Sequence, residues 1–308
     1  MSRRLRTSLA ATLLAAALAG ATFPATPATA SFPGANGRLV FSSIPDGELD
    51  REIFTALPNG SDIRRLTDND YEDMDPAWSP SADRIVFVAS PPAGIDIFTM
   101  NTNGGDVQQV TDTPSTPEDD PSWSPFGNRI VYTQRKTGDV DLFTISLDGT
   151  GRFRLTKNRK NEEEPDWSPN GKRIVFEGTT NGGDYEIYWI RPEGTGLKQL
   201  TDSPPPKVDP AWSPNGKQIV FASQPSGSPG EELFRMRKDG THIVQLTDDS
   251  LVDIQPSWSP DGKKIAFVRV DGIDRNIWTI RPDGTGMTEI IDNPGWDEAP
   301  NWQRLPQV

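Results

Sequence analysis

The residues of this 308-residue chain best suited to chemistry are acidic, and they recur at fixed intervals. Five residues before each of six evenly placed tryptophans stand Asp73, Glu118, Glu162, Lys207, Asp253 and Asp297. Two residues further on are Asp75, Asp120, Glu164, Asp209, Gln255 and Ala299. A ring of carboxylates suits a hard cation such as Ca²⁺ or Mg²⁺, or the Lys and Arg side chains of a partner. A repeated acid can equally accept hydrogen bonds from nearby backbone N–H groups and fix a loop. No Asp-x-Asp-x-Asp-Gly calcium loop is present, and the acidic run from Asn69-Asp70 to Asp75 has a different spacing. His242 is the only histidine and adjoins a Gly turn, so a Ser-His-Asp triad has little support. The sequence has no Gly-x-Ser-x-Gly elbow, no His-Glu-x-x-His and no phosphate-binding Gly loop. Catalytic residues are therefore assigned to none. Paired carboxylates for glycoside chemistry stay open, although no one pair stands out. Tyr71, Trp189, Lys207 and Trp296 depart from the repeat, and Tyr71 and Trp296 fall in segments where an aromatic ring would stack on a sugar or a peptide.

The elements that must position these residues follow from the repeat, since a fixed period decides the architecture. Asp75-Pro-Ala-Trp-Ser-Pro80 returns as Asp120-Pro-Ser-Trp-Ser-Pro125, Glu164-Pro-Asp-Trp-Ser-Pro169, Asp209-Pro-Ala-Trp-Ser-Pro214 and Gln255-Pro-Ser-Trp-Ser-Pro260. A shortened copy, Ala299-Pro-Asn-Trp302, follows, and the Trp spacings are 45, 44, 45, 46 and 44 residues. Each period holds a Pro-x-Trp segment, a β-branched run such as Ile85-Val86-Phe87, a third run such as Ile97-Phe98, and a short segment ending in Leu-Thr or a variant of it. These runs are short, rich in Val, Ile, Phe and Thr, and bounded by Gly, Pro and Asn, so each predicts a strand. Four antiparallel strands per period of about 45 residues make a propeller blade. The expected fold is all-β: a six-bladed β-propeller closed by a C-terminal first strand that completes the N-terminal blade. The six tryptophans, and the acids Glu52, Asp96, Asp141, Glu186 and Glu232 before the third runs, are expected to pack blade against blade.

The N-terminus differs from the rest. Arg3, Arg4 and Arg6 precede an apolar run from Leu9 to Ala19, and Ala28-Thr29-Ala30 suits cleavage, so residues 1–30 are expected to be a signal peptide and residues 31–308 the propeller. The Arg pair also fits a twin-arginine signal. Eleven apolar residues are too few for the roughly 20 of a membrane span, and no membrane insertion of the mature chain is expected. With no cysteine there are no disulfides, even in an oxidising compartment. The formal net charge of −13 becomes about −16 once the three arginines leave. Such a balance repels nucleic acid and anionic membranes and favours basic partners.

The Asp-x-Pro-x-Trp-Ser-Pro-Asp/Asn-Gly-Lys-x-Ile-x-Phe pattern, fullest from Gln255 to Phe267, resembles the TolB-type propeller repeat, also called the WD40-like or PD40 repeat. The resemblance covers residues 36 to 304 and implies the propeller and an envelope or extracellular setting. The family's namesake has a small α/β domain before its propeller, for which the stretch between Ala30 and the first strand leaves no room, so the namesake's own partnership is not implied. On these grounds the expectation is an exported, non-catalytic, monomeric module, periplasmic or secreted, that binds a protein or peptide carrying basic groups. The alternative is a carbohydrate-active lyase or hydrolase working through mouth carboxylates. No cofactor is expected beyond Ca²⁺ or Mg²⁺ at the channel mouth. The binding face would carry Asp73, Glu118, Glu162, Lys207, Asp253, Asp297, Tyr71 and Trp296.

Overall fold

The computed structural model describes residues 34–305 apart from 46, 114, 159 and 294. The expected signal peptide lies outside the described residues. Those described form 24 strands, β1 to β24 in chain order, in six four-stranded antiparallel sheets and no helix. The second blade shows the pattern: β4 (Asp73–Trp78), β5 (Arg84–Ala89), β6 (Asp96–Asn101) and β7 (Gln108–Gln109) pair in sequence order. The first blade is built from both ends of the chain. There β24 (Asp297–Leu305) lies beside β1 (Ala35–Ser43), followed by β2 (Glu52–Ala56) and β3 (Arg64–Arg65). Leu39 stands opposite Trp302 and Val40 opposite Asn301.

The motif residues have specific local duties. Ser79, Ser124, Ser168, Ser213 and Ser259, from Trp-Ser-Pro, each turn a hydroxyl back onto the backbone N–H five residues on, at 2.9–3.1 Å. That bond closes the turn between the first and second strands. The threonine of Leu-Thr ties the fourth strand to the third: Thr67, Thr111, Thr156, Thr201 and Thr247 accept the N–H of Ile53, Ile97, Leu142, Ile187 and Leu233 at 2.8–2.9 Å. The sixth blade has Ile291 at that position, and there the last two strands are joined through a register shift.

The apolar core lies between blades. On the second strand of the first blade, Leu39 and Phe41 face the sixth blade, where they meet Ala266, Ile277 and Ile291. Val40, between them in sequence, faces the other way and meets Trp78, Ile85 and Phe87 of the second blade. This period-two alternation with both faces buried is what a stacked sheet requires. The same arrangement joins Val86 and Val88 to Trp123 and Tyr132, and Val220 and Leu233 to Trp258 and Phe267. All six repeat tryptophans are 5–8% exposed.

Closure is thus an apolar contact as well as a set of backbone bonds. Trp302→Ala should cost about 3–5 kcal/mol in urea unfolding, as large-to-small core changes do. Deleting residues 299–308 should abolish the cooperative transition, because it removes the inner strand of the first blade and uncovers Leu39 and Phe41. A truncated chain that unfolds at the same urea midpoint as the full one would overturn this account of closure.

Candidate functional site

The six inner strands, β4, β8 (Glu118–Trp123), β12 (Glu162–Trp167), β16 (Lys207–Trp212), β20 (Val252–Trp258) and β24, enclose a central channel with a cavity of about 310 Å³. Each inner strand carries a β-bulge. In β4 the register passes from Met74–Val88 to Ala77–Val86, so Asp75 and Pro76 together oppose Phe87. Proline suits the bulge because it has no N–H to offer the ladder. The residue before it is left-handed in every blade: Asp75, Asp120, Glu164, Asp209, Gln255 and Ala299 have φ of 50–54°. For non-glycine residues this conformation costs about 1–2 kcal/mol each.

Hydrogen bonds across the channel offset that cost. An Asp120 oxygen accepts the Glu164 N–H at 3.4 Å, Asp209 accepts the Gln255 N–H at 2.8 Å, and the Gln255 amide oxygen accepts the Ala299 N–H at 2.9 Å. Glu177, from the second strand of the fourth blade, accepts the Asp209 N–H at 2.8 Å. Below this ring Asp166 accepts the Trp212 N–H at 2.8 Å, and Asn301 accepts the Trp78 N–H at 3.0 Å. The channel wall is acidic on blades two to five and neutral at Gln255 and Ala299.

The residues five before each tryptophan stand elsewhere. Asp73, Glu118, Glu162, Lys207, Asp253 and Asp297 are no more than 5% exposed. They sit at the junctions between blades, held by the connection that leads into their own strand: Asn69 donates to Asp73 at 2.7 Å, Asn158 to Glu162 at 2.6 Å and Asn293 to Asp297 at 3.2 Å. Sequence spacing placed them on the channel mouth together with the residues two further on. The bulge separates the two sets, and only the second set lines the channel. Tyr71 is half-buried against the core formed by Trp78 and Phe87. Trp296 is 38% exposed; its ring carries the Arg275 guanidinium at 4.6 Å, and its N–H donates to the Ile273 carbonyl at 2.7 Å. Trp189 is buried under Arg173.

Sequence reading missed the arginines around the mouth. Arg135 pairs with Asp119 at 3.3 Å and with Glu163, whose other oxygen accepts the Tyr185 hydroxyl at 3.0 Å. Arg51 bridges Glu72 at 3.0 Å and Glu298 at 2.8 Å, and Arg275 also pairs with Glu298. Arg51 and Arg275 share one repeat position, two before Ile53 and Ile277, and Arg135 occurs in one blade, so a search for positions repeated in most blades passes over them. Asp75, Asp119 and Asp120 bring one carboxylate oxygen each within 4.8 Å of the others, an oxygen set able to hold a hard cation.

Crowding carboxylates in a narrow, largely dehydrated channel disfavours their charged forms. Burial, with the charges of Asp119 and Asp120 beside it, pushes Asp75 well up. Burial and Asp119 raise Asp120 to about 7 against the pull of Arg135, and burial raises Asp209 to about 6. Between the blades, burial lifts Asp73 and Glu162 to about 7 and Asp297 to about 6. These acids take up protons more readily folded than unfolded, so the native state binds more protons through the window from about pH 4 to pH 7. Stability should therefore rise as pH falls through that window. The unfolding midpoint in chelator should be higher near pH 5.5 than near pH 8, with Asp120→Asn flattening the profile. A midpoint that drops steadily on acidification across that range would refute the assignment.

The chain matches the family described as TolB beta propeller domain (PD40) over residues 16–181 and 164–304. No curated protein matches it. Among solved structures, TolB from Acinetobacter baumannii superposes with a TM-score of 0.77 at 21% identity, covering 87% of this chain and 66% of that one. The chain thus spans just under two thirds of that relative's length. A putative TolB from Agrobacterium tumefaciens gives 0.70 at 19% identity, covering 88% of this chain and 99% of that one. An oligogalacturonate lyase from Vibrio parahaemolyticus gives 0.56 at 8% identity, over 79% and 71% of the two chains. Identities this low show a common fold and nothing more. The family match spans the repeats that build all six blades, and by it the chain belongs to the TolB beta propeller domain family.

Proposed function

We propose that this protein is an exported, TolB-like binding module of the cell envelope or its surroundings, and that it grips a protein or peptide through the channel mouth. The observation that carries the reading is the channel wall: Asp75, Asp120, Glu164 and Asp209 converge on one cavity, with Asp119 and Glu177 beside them. A Lys or Arg side chain, or a free amino terminus, entering there would exchange hydration for several preorganised carboxylates. The wall is one-sided, so an extended segment would lie with its cationic groups toward blades two to five. Around the rim, Arg51, Arg135, Arg275, Tyr185 and Trp296 offer a mixed polar and aromatic border, which is the composition of a wet, non-obligate interface. In this reading Asp73, Glu118, Glu162, Lys207, Asp253 and Asp297 act from behind the surface. They fix the connections that carry the mouth, while direct contact belongs to the channel ring.

The test is a binding titration, by fluorescence anisotropy, of short basic and short acidic peptides against the full chain. Basic peptides should bind, and the pair of substitutions Asp75→Asn and Asp120→Asn should weaken them at least about tenfold, the scale of losing one charge-assisted contact. Because burial raises Asp120 to about 7 and pushes Asp75 up as well, affinity should fall several-fold between about pH 8 and pH 5.5. Equal affinity for acidic and basic peptides, or an affinity that grows on acidification, would sink the proposal. Turnover of a polysaccharide that the same two substitutions abolish would favour the lyase or hydrolase reading instead.

A further inference from the structure

Each junction between blades contains a slot formed by the residue just before the apolar pair of one blade's third strand, an acid in five blades and Asn276 in the sixth, and the residue five before the tryptophan of the next. In sequence order the pairs are Glu52 with Asp73, Asp96 with Glu118, Asp141 with Glu162, Glu186 with Lys207, Glu232 with Asp253, and Asn276 with Asp297. A side chain of this protein already places positive charge in two of them. Between blades four and five the Lys207 ammonium, 5% exposed, lies 3.2 Å from Glu186 and donates to the main-chain carbonyls of Ser203 and Pro205. Between blades five and six Arg269, 7% exposed, meets Asp253 at 2.7 Å. The slot therefore accepts a cation surrounded by carboxylate and carbonyl oxygen.

Between blades one and two it holds two carboxylates and no inserted base. Glu52 and Asp73 are both fully buried. Glu52 Oε1 accepts the Asn69 N–H at 2.8 Å and Arg65 at 2.9 Å, and Asp73 Oδ2 accepts the Asn69 side chain at 2.7 Å. Arg65 reaches only the edge of the slot, and its charge is divided among Glu48, Glu52 and Asp68. Glu52 Oε2 and Asp73 Oδ1 are buried with no hydrogen-bond partner. Two such oxygens, on carboxylates whose other oxygens share Asn69, are costly unless something positive lies between them.

We propose that the slot between blades one and two is a cation site, in which Glu52 and Asp73 hold a hard divalent ion, Ca²⁺ or Mg²⁺, in the place that Lys207 fills three junctions on. Carboxylate oxygens are the donors such ions take. The ion would pin the first blade to the second at the end of the chain, close to where the ring is closed. This site is separate from the channel triplet Asp75, Asp119 and Asp120, and it does not depend on what the mouth binds.

The experiment is thermal unfolding of the full chain near pH 8, above the value to which burial raises Asp73, in EDTA, CaCl₂ or MgCl₂. Wild type should gain roughly 5 °C or more from one of the two ions at about a hundredfold excess over its dissociation constant. Asp73→Lys, which copies the Lys207 arrangement, should lose that response and melt in EDTA near the cation-loaded wild type. Glu52→Gln should lose the response as well, serving where the lysine variant fails to fold, and Asp120→Asn, in the channel, should keep it. An unchanged wild-type midpoint in all three media would overturn the proposal, with a proton as the slot's occupant. So would a response that Glu52→Gln retains and Asp120→Asn loses, because the ion would then sit in the channel.

Discussion

Every blade of this protein has two apolar faces, and a four-stranded sheet cannot hide either by itself. The constraint shows at single-residue resolution on the second strand, where Leu39 and Phe41 pack toward one neighbour and Val40 toward the other. Burying a side chain of this size contributes about 1.5–3 kcal/mol, but only if the adjoining blade is present. Stability is therefore a property of junctions, and a ring has one more junction than an open stack of the same blades. The pairing of β24 with β1 supplies that last junction, which is why the two ends of the chain share a blade. With no cysteine to cross-link them, strand pairing and the Trp302 contact carry the closure.

Closing six sheets around one axis brings six inner strands close together, and the bulge at each Pro-x-Trp segment is the local response. It turns one residue per blade into the left-handed region, and at Glu164, Asp209, Gln255 and Ala299 a carboxylate or amide of the preceding blade accepts that residue's N–H. Asp120, Glu177 and Asp209 therefore have a structural duty as well as a charge. That duty leaves oxygen atoms facing a cavity in which they repel one another and lack full hydration. The raised proton affinity of Asp75, Asp120 and Glu164 follows directly from that geometry. Where the duty is met by a neutral group, as at Gln255, or has no side chain to perform it, as at Ala299, the wall loses its charge and the channel acquires a direction.

The sequence carried the fold because its determinants repeat. Six tryptophans at near-constant spacing, the Trp-Ser-Pro turns and the Leu-Thr segments each translate into a bond or contact made once per blade. The blade count and the shared terminal blade followed from how many copies of each run the chain contains. The site was only half legible. Strict alternation puts residues five and three before the tryptophan on one face of a strand, and on that rule both sets belonged to the channel mouth. A bulge breaks alternation, and its sign, a left-handed residue before proline, is a backbone angle that composition does not announce. Asp73 and Asp297 were consequently expected at the surface and lie buried between blades. Arg51, Arg135 and Arg275 escaped notice because their positions carry arginine in at most two of the six blades.

The two acidic rings illustrate how one repeat can be put to different uses. Symmetry gives five of the six junctions the same frame of threonine hydroxyl, backbone amide and buried carboxylate, and a carboxylate in such a frame is unfavourable unless its charge is balanced. The protein balances it differently at each junction. It uses an ammonium at Lys207 and a guanidinium at Arg269, an arginine at the edge for Glu52 and Asp141, and amides from Gln134 and Asn293 for Glu118 and Asp297. Such variety under a fixed backbone is expected when the frame is constrained by packing and only local neutrality must be met. The deviations from the repeat, which contribute nothing to the fold's regularity, therefore report where charge must be supplied, and the slot of Glu52 and Asp73, where both carboxylates are fully buried with no inserted base, is one where supply from outside the chain fits.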